Sequence, residues 1–352
     1  MNIRDKHVSP RWKQRPPGSN WGEFGPDDQR GRMNLVTPEK VLQGVAEVKT
    51  GLRFCLSLPL DYPGGNKVSP RRMPPRRFAT ARSGRPNFNF LFSGENPLHT
   101  DVVCDDGVLL WLQYSTQWDS FAHVGAQFDA DGDGVAETVF YNGWRAGEHI
   151  VGPQHAELSP WGCYEGSEAR RLGIENMAES CVQGRAVMID LHAHFGRCRK
   201  AVGYDELMRV MEADKVQVEA GDMACFYTGW SDVILEMERR IDTIRLDAAY
   251  LGLDGRDDKL LQWVTDSGVA ALVADNYAVE LLPAREAPGR QPAMPLHEHC
   301  LFKLGVHLGE IWYLAELAKW LRAHARSRFL LTAPPLRLPG AVGSPATPVA
   351  TV

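Results

Sequence analysis

The chain has 352 residues, 44% of them hydrophobic and 24% charged, and a formal net charge of −5 at pH 7. That length supports one large core or two intimate ones, and the acidic balance excludes a general nucleic-acid binder. Seven cysteines, at 55, 104, 163, 181, 198, 225 and 300, never form a Cys-x-x-Cys pair, which excludes a thiolate zinc site and a disulfide framework.

Residues 1–20 are polar, contain Pro16-Pro17-Gly18 and read as an extended N-terminal arm, leaving 21–352 as a single domain. There is no apolar leader and no run of membrane-spanning length, so a cytoplasmic protein is expected. Two stretches, 6–15 and 71–85, are locally basic and fit solvated arms or subunit contacts. Thr37-Pro38-Glu39 is a helix start, with Thr37 as N-cap and Pro38 in the first turn, before an amphipathic run over 41–48 that stops at Gly51. Residues 53–60 alternate as a strand. Residues 61–87 are rich in Pro, Gly and Arg without periodicity, which predicts a loop near the mouth of a site or one given to a neighbouring subunit.

Residues 98–103 and 108–117 read as strands leading into the central stretch, 111–125, WLQYSTQWDSFAHVG. Alternation puts Gln113, Ser115, Gln117 and Asp119 on one face and Tyr114, Thr116 and Trp118 on the other. The flanking Leu109 to Leu112 look interior, and interior amides and carboxylates need partners. His123 follows a bend over 119–122. Tyr114, Trp118, Phe121 and Trp111 fit either an apolar substrate pocket or the core; for Tyr114 and Trp111 strand spacing favours the core.

Beyond this stretch Asp129, Asp131, Asp133 and Gly134 open like a calcium-binding loop. The twelfth position, which should be a bidentate Glu, is Phe140, so an acidic surface turn is expected. Residues 170–182 have a helix pattern. Residues 186–191 are a buried strand run ending in His192 and His194, which would face the same way at a strand end, as a metal pair or as part of a pocket wall. A helix over 205–212 and buried strand runs at 221–230 and 269–275 follow, giving a mixed α/β chain without repeats or a phosphate loop. In 296–310, LHEHCLFKLGVHLGE, three histidines and Glu310 compete as ligands. His299 lies two residues along a helix from His297, about 200° around the axis, and cannot share its site. The helix over 311–325 carries the core stripe Leu314, Leu317, Ala318 and Leu321, and 329–348 is a strand with a proline-rich tail.

The stretch 113–123 resembles the signature of the cyclase and kynurenine formamidase-like metal-dependent hydrolases, His-x-Gly-Thr-His-x-Asp-x-Pro-x-His. Thr116, Asp119 and His123 match it, whereas Gln113 and Gln117 stand where the family has histidine ligands, and Ser115 and Phe121 replace Gly and Pro. The Gln, Gln, Trp-Asp-Ser form resembles more closely a long-chain branch that includes trans-dienelactone hydrolase. The resemblance implies a swivelling β/β/α fold, a mixed sheet with outer helices, assembled as a homodimer or homotetramer. It selects His297 and Glu310, with Gly305 ending the helix between them, to join Gln113, Gln117 and Asp119 around a divalent cation, with Asp119 and His123 catalytic. Four oxygen donors and one imidazole are a hard set, which suits Mn²⁺ first and Zn²⁺ second. The implied reaction is hydrolysis of a cyclic ester or amide, with His123 as acid/base. A lyase or isomerase on the same metal, or a metal-free binding protein, are the other readings.

Overall fold

Positions 186–189 and 223–226 are apolar throughout, the pattern of strands covered on both faces, and they lie at the centre of the molecule. The computed structural model describes residues 11–153, 157–159 and 162–352. Its main sheet has nine strands: β1 (Arg53–Cys55), β2 (Gln117–Asp119), β3 (Gln183–Asp190), β4 (Met223–Tyr227), β5 (Ala271–Ala274), β6 (His307–Glu310), β7 (Arg328–Thr332), β8 (Gly343–Pro345) and β9 (Val349–Thr351). Their order across the sheet is β1-β9-β7-β3-β4-β5-β6-β2-β8. Strands β3 to β6 are parallel, and every other neighbouring pair is antiparallel.

Alternation divides each central strand between two cores. Val187, Ile189, Ala224, Phe226 and Leu272 pack into one, and Ala186, Met188, Met223, Cys225 and Val273 into the other. Each large aliphatic or aromatic side chain so buried contributes about 1.5–3 kcal/mol, and a slip of one residue would exchange the faces. The second core is closed by the helix Ala315–Ala323, through Ala315, Leu317, Ala318 and Leu321. This is the mixed α/β class with outer helices expected from the sequence. No helix among the described residues is long and apolar enough to cross a membrane.

Several expected elements change. The helix at Thr37 runs over Pro38–Val45, and the Thr37 side chain accepts from Lys40 N–H at 3.4 Å. The strand expected over 108–117 is broken: a strand at Asp106–Leu109 ends, residues 110–116 leave the ladder, and pairing resumes only at Gln117. The reason is competition by side chains. Thr116 Oγ1 donates to Ile311 O (2.6 Å) and accepts from Leu58 N–H (2.9 Å), while Tyr114 Oη donates to Gly65 O (2.8 Å). These bonds tie the segment to Ile311 and to the chain at 58–65 instead of to a strand, a recognised competition with secondary structure. The expected strand 53–60 keeps only Arg53–Cys55, and the helix 170–182 contracts to Glu175–Glu179. Within 61–87, expected as a loop, the segments Arg76–Ala79, Ala81–Arg82 and Arg85–Pro86 form short two-stranded ribbons. The first ten residues of the expected arm lie outside the described residues. The next ten are no free arm, because Trp12 is buried, 5.6 Å from the ring of Trp21, and Lys13 N–H donates to Ala130 O at 2.7 Å.

Candidate metal centre

The centre is built where β2 and β6 pair. Their antiparallel register sets Gln117 opposite Glu310 and Asp119 opposite Leu308. With a two-residue period, Gln117, Asp119 and Glu310 therefore share one face, and all three are buried. Gln117 Nε2 donates to Glu310 Oε2 at 2.8 Å. A carboxylate oxygen accepts, so this bond fixes the amide and turns Gln117 Oε1 the other way, buried and without a partner.

His297 enters from the opposite side. It ends the short helix Pro295–His297, which continues as the π-turn Glu298–Leu304 and stops at Gly305 in the left-handed region (φ 60°). A Cβ at Gly305 would sit 2.7 Å from Gly31 Cα, so only glycine serves this stop. Such π-segments re-aim side chains and are frequent at functional sites. His297 Nδ1 bonds Glu280 Oε1 at 2.7 Å, and Nε2 lies 3.0 Å from Glu310 Oε1 and 4.0 Å from Asp119 Oδ2. Ligand atoms of Asp119, His297 and Glu310 all fall within 4.8 Å of one another.

The electrostatics follow from burial. Burial raises Asp119 to about 6, opposed by the charge of His123 and reinforced by Glu310. For His297 burial works against the imidazolium, but hydrogen bonds and charges from Glu280 and Glu310 outweigh it and lift the group to about 10. Both Asp119 carboxylate oxygens are buried without a hydrogen-bond partner. Three orphaned oxygens, from Asp119 and Gln117, thus converge with a carboxylate and an imidazole, which is the donor set a hard divalent cation satisfies.

His123 lies beside this group, with Nε2 3.9 Å from Asp119 Oδ2, and is partly exposed. Burial lowers its pKa, and the nearby charges of His297 and Arg72 lower it further against the pull of Asp119. Gln113 does not join in the expected way. It precedes β2 on the turn, its side chain lies against Gly343, where a Cβ would approach Nε2 to 2.5 Å, and it makes no hydrogen bond to the other four residues. Gly343 is the β8 partner of Asp119, so the amide stands next to the site on the far strand.

The other histidines are elsewhere. His299 bonds Thr265 Oγ1 (2.9 Å), as its helical position required. His307 Nδ1 bonds Asp119 O (2.8 Å) and its ring stacks on Phe121 at 4.0 Å, holding β2 from behind. His192 and His194 were expected at a strand end facing together, but the chain turns at once into the helix Leu191–Phe195, capped by Asp190, and separates them. His194 bonds Asp214 (3.0 Å), and His192 packs near Tyr227 in another cavity. Tyr114, Trp118 and Phe121 are core, Trp118 stacking edge-on against Trp312 at 5.0 Å.

One feature escaped the sequence reading. Glu280 is fully buried and accepts from Leu296 N–H (3.1 Å), His297 N–H (3.0 Å) and the His297 ring. Its signal was a lone acid in the apolar run Ala278-Val279-Glu280-Leu281-Leu282. The acidic turn at 129–134 connects the paired strands Ala126–Phe128 and Glu137–Val139, and Asp129, Asp131 and Glu137 approach within 4.8 Å. Their carboxylates are occupied by backbone N–H groups of the turn, such as Gly132 on Asp129 at 2.7 Å and Ala130 on Glu137 at 2.8 Å. A groove of about 580 Å³ lined by Val124, Phe128, Met294 and Phe302 borders the chain next to His123 and His297, but none of the site residues lines it.

A parallel-centred sheet with a buried carboxylate, imidazole and amide cluster where β2 pairs with β6 defines an α/β protein with a candidate metal centre. The chain belongs to the cyclase family, whose model, described as "Putative cyclase", matches residues 56–281. It is similar to a solved structure described as a novel cyclase, at 29% identity and a TM-score of 0.72, covering 96% of this chain and 100% of that one. It shares the fold of isatin hydrolase A from Ralstonia solanacearum (16% identity, TM-score 0.54, 89% and 97% covered) and of isatin hydrolase A from Labrenzia aggregata bound to benzyl benzoate (12%, 0.53, 89% and 97%). No curated protein matches it.

Proposed function

We propose that this protein is a metal-dependent hydrolase that opens a cyclic ester or amide, holding a divalent cation, Mn²⁺ before Zn²⁺, through Gln117, Asp119, His297 and Glu310, with Gln113 beside them. The observation that carries the reading is the set of orphaned oxygens on Asp119 and Gln117 facing an imidazole whose other nitrogen is already fixed by Glu280. Isatin hydrolases of the same fold act on a cyclic amide by name, which supports a ring substrate. Homo-oligomerisation in the cytoplasm remains part of the proposal.

When bound, the cation would polarise the ring carbonyl and acidify a water. The chain's own residues supply the rest. Glu280 holds the Nδ1 proton of His297, so Nε2 is presented to the cation and the ring cannot rotate. Gln117 leans on Glu310, so one bond orients both oxygen donors. His123, depressed by burial, is largely neutral at pH 7 and takes a proton from water at Nε2, then returns it to the leaving alkoxide or amide nitrogen. The lowered pKa gives a sign: the base is active when unprotonated, so kcat/KM should rise with pH and level off through an inflection below the ordinary histidine value.

The test is His123→Ala, assayed on lactones and on isatin after loading with Mn²⁺. The metal content should stay at that of the wild type while turnover falls by about 10²–10⁴-fold, the usual loss for a general acid/base. The acidic limb of the pH profile should vanish with it. Loss of the metal would make His123 a ligand, and unchanged turnover would remove it from the mechanism.

A further inference from the structure

We infer that Gln113, which the structure keeps out of the ligand cluster, is the hydrogen-bond donor for the carbonyl oxygen of the ring substrate, with the missing side chain of Gly343 as the cradle that seats its amide. The inference rests on the hydrolase reading above for the substrate, and on separate geometry for the donor.

Strand β8 is the edge of the sheet, and its register sets Gly343 opposite Asp119 and Pro345 opposite Gln117. Directly opposed residues of an antiparallel pair project to the same face, with Cβ atoms about 4.5–5.5 Å apart. The side-chain position of Gly343 therefore lies beside Asp119, on the face that carries Gln117 and Glu310. The Gln113 amide fills that position, because a Cβ at Gly343 would stand 2.5 Å from Nε2 and 3.0 Å from Cδ. Nε2 is thus within about 8 Å of Asp119 Cβ, on the side of the sheet where the centre is built. The turn that delivers it is anchored on both sides. Tyr114 Oη donates to Gly65 O at 2.8 Å, and Thr116 O accepts from Ala346 N–H, just beyond β8, at 3.2 Å.

Nε2 is buried and has no hydrogen-bond partner among the described residues. Buried donors are seldom left so, and an acceptor from outside the chain answers it. Both oxygens of Asp119, on the neighbouring strand, are also unpaired, so donor and carboxylate stand apart by more than hydrogen-bond distance. An N–H cannot ligate a cation. Reversing the amide would bring its oxygen toward Trp118 O, which lies 3.0 Å from the same Cβ position, so the nitrogen is the atom this seat favours. The acceptor that fits a donor here is the ring carbonyl oxygen. As water adds to the carbonyl carbon, the π electron pair moves onto that oxygen, His123 takes the water's proton, and Nε2–H meets the growing negative charge. A donor fixed in place beforehand binds that charge more strongly than it binds the neutral carbonyl.

The experiment compares the wild type with Gln113→Leu and Gly343→Ala, all loaded with Mn²⁺, on a γ-lactone and on its thionolactone, whose sulfur accepts hydrogen bonds poorly. Gly343 is outside the left-handed region, so alanine suits its backbone and displaces only the free end of Gln113. That variant keeps the test open if Gln113→Leu does not fold. Gln113→Leu should lower kcat on the lactone by about 10²–10³-fold, the loss for one oxyanion donor, and leave KM within about threefold. On the thionolactone the loss should be at least about tenfold smaller, and Gly343→Ala should repeat the pattern in weaker form. Chelator competition should find Mn²⁺ affinity within about twofold of the wild type in both variants, since neither removes a ligand. An affinity loss of about tenfold or more would make Gln113 a ligand and overturn the inference. Equal losses on the two substrates, or unchanged turnover, overturn it as well. If the wild type opens neither lactone, the hydrolase reading fails, and calorimetric titration with the lactone decides the donor separately. Binding about fivefold weaker in Gln113→Leu, the size of one hydrogen bond, then supports it. Equal binding in both proteins, or none in the wild type, overturns it.

Discussion

Replacing Glu280 by Gln removes one charge from behind the proposed metal centre with almost no change in side-chain volume. Glu280 Oε1 accepts from the His297 main chain at 3.0 Å and from Nδ1 at 2.7 Å, while Oε2 accepts from Leu296 N–H at 3.1 Å. Glutamine has one oxygen. If that oxygen stays with His297, its amide faces Leu296 N–H donor to donor. If it turns to Leu296, the imidazole loses the acceptor that sets its tautomer. Either way one buried donor is stranded, at a cost of about 1–3 kcal/mol. Metal affinity should fall by about 10–100-fold, the usual effect of removing a carboxylate that orients a ligating histidine. Chelator competition with Mn²⁺ reads the affinity, and urea unfolding of the metal-free protein reads the stability separately. A variant that loses stability but keeps its affinity within about twofold would refute the reasoning. Glu280 would then be only a cap for the Pro295–His297 turn.

Gln117→His should shift preference toward Zn²⁺ in metal competition, because a nitrogen donor replaces an amide oxygen; unchanged relative affinity would place Gln117 outside the cation's reach. Asp222→Ala should destabilise the protein by about 3 kcal/mol, the lower end for breaking a buried pair. It strands Arg185, paired through Nε at 2.8 Å and Nη2 at 3.0 Å, and Lys40 at 3.2 Å, but Glu219, 2.6 Å from Arg185, keeps part of the compensation. Denaturant midpoints at equal m-value measure it, and a loss under about 1 kcal/mol would show that Glu219 alone suffices.

How far the residues revealed this arrangement depends on the range of the interactions involved. The central strands β3, β4 and β5 were legible because burial on both faces writes an unbroken apolar run. The pair Gln117 and Asp119 was legible because a two-residue period survives in even a three-residue strand. Gln113 was misplaced by the same rule, applied four residues too far: nothing in its spacing shows that Thr116 bonds Ile311, 195 positions away, and takes the preceding chain out of the sheet. Glu280 showed only as a lone acid in an apolar run, since its partners Leu296 and His297 reach it only through the tertiary fold. The expected face-sharing of His192 and His194 failed locally, where Asp190 accepts from Ala193 N–H at 2.9 Å and starts a helix one residue after the strand.

The glutamine at 117 then becomes understandable as more than a weakened histidine. A neutral amide is a poor ligand when its orientation is free, because either its oxygen or its nitrogen can face the cation. Here Glu310, directly opposite in the β2–β6 register, accepts the nitrogen and leaves the oxygen to face inward. The same carboxylate offers its second oxygen to His297 Nε2. Glu310 therefore orients Gln117 besides offering an oxygen itself, and Glu310→Gln should cost more metal affinity than removing any other single carboxylate around the centre. Measured against Asp119→Asn in the same chelator competition, an equal or smaller loss would reduce Glu310 to an ordinary ligand.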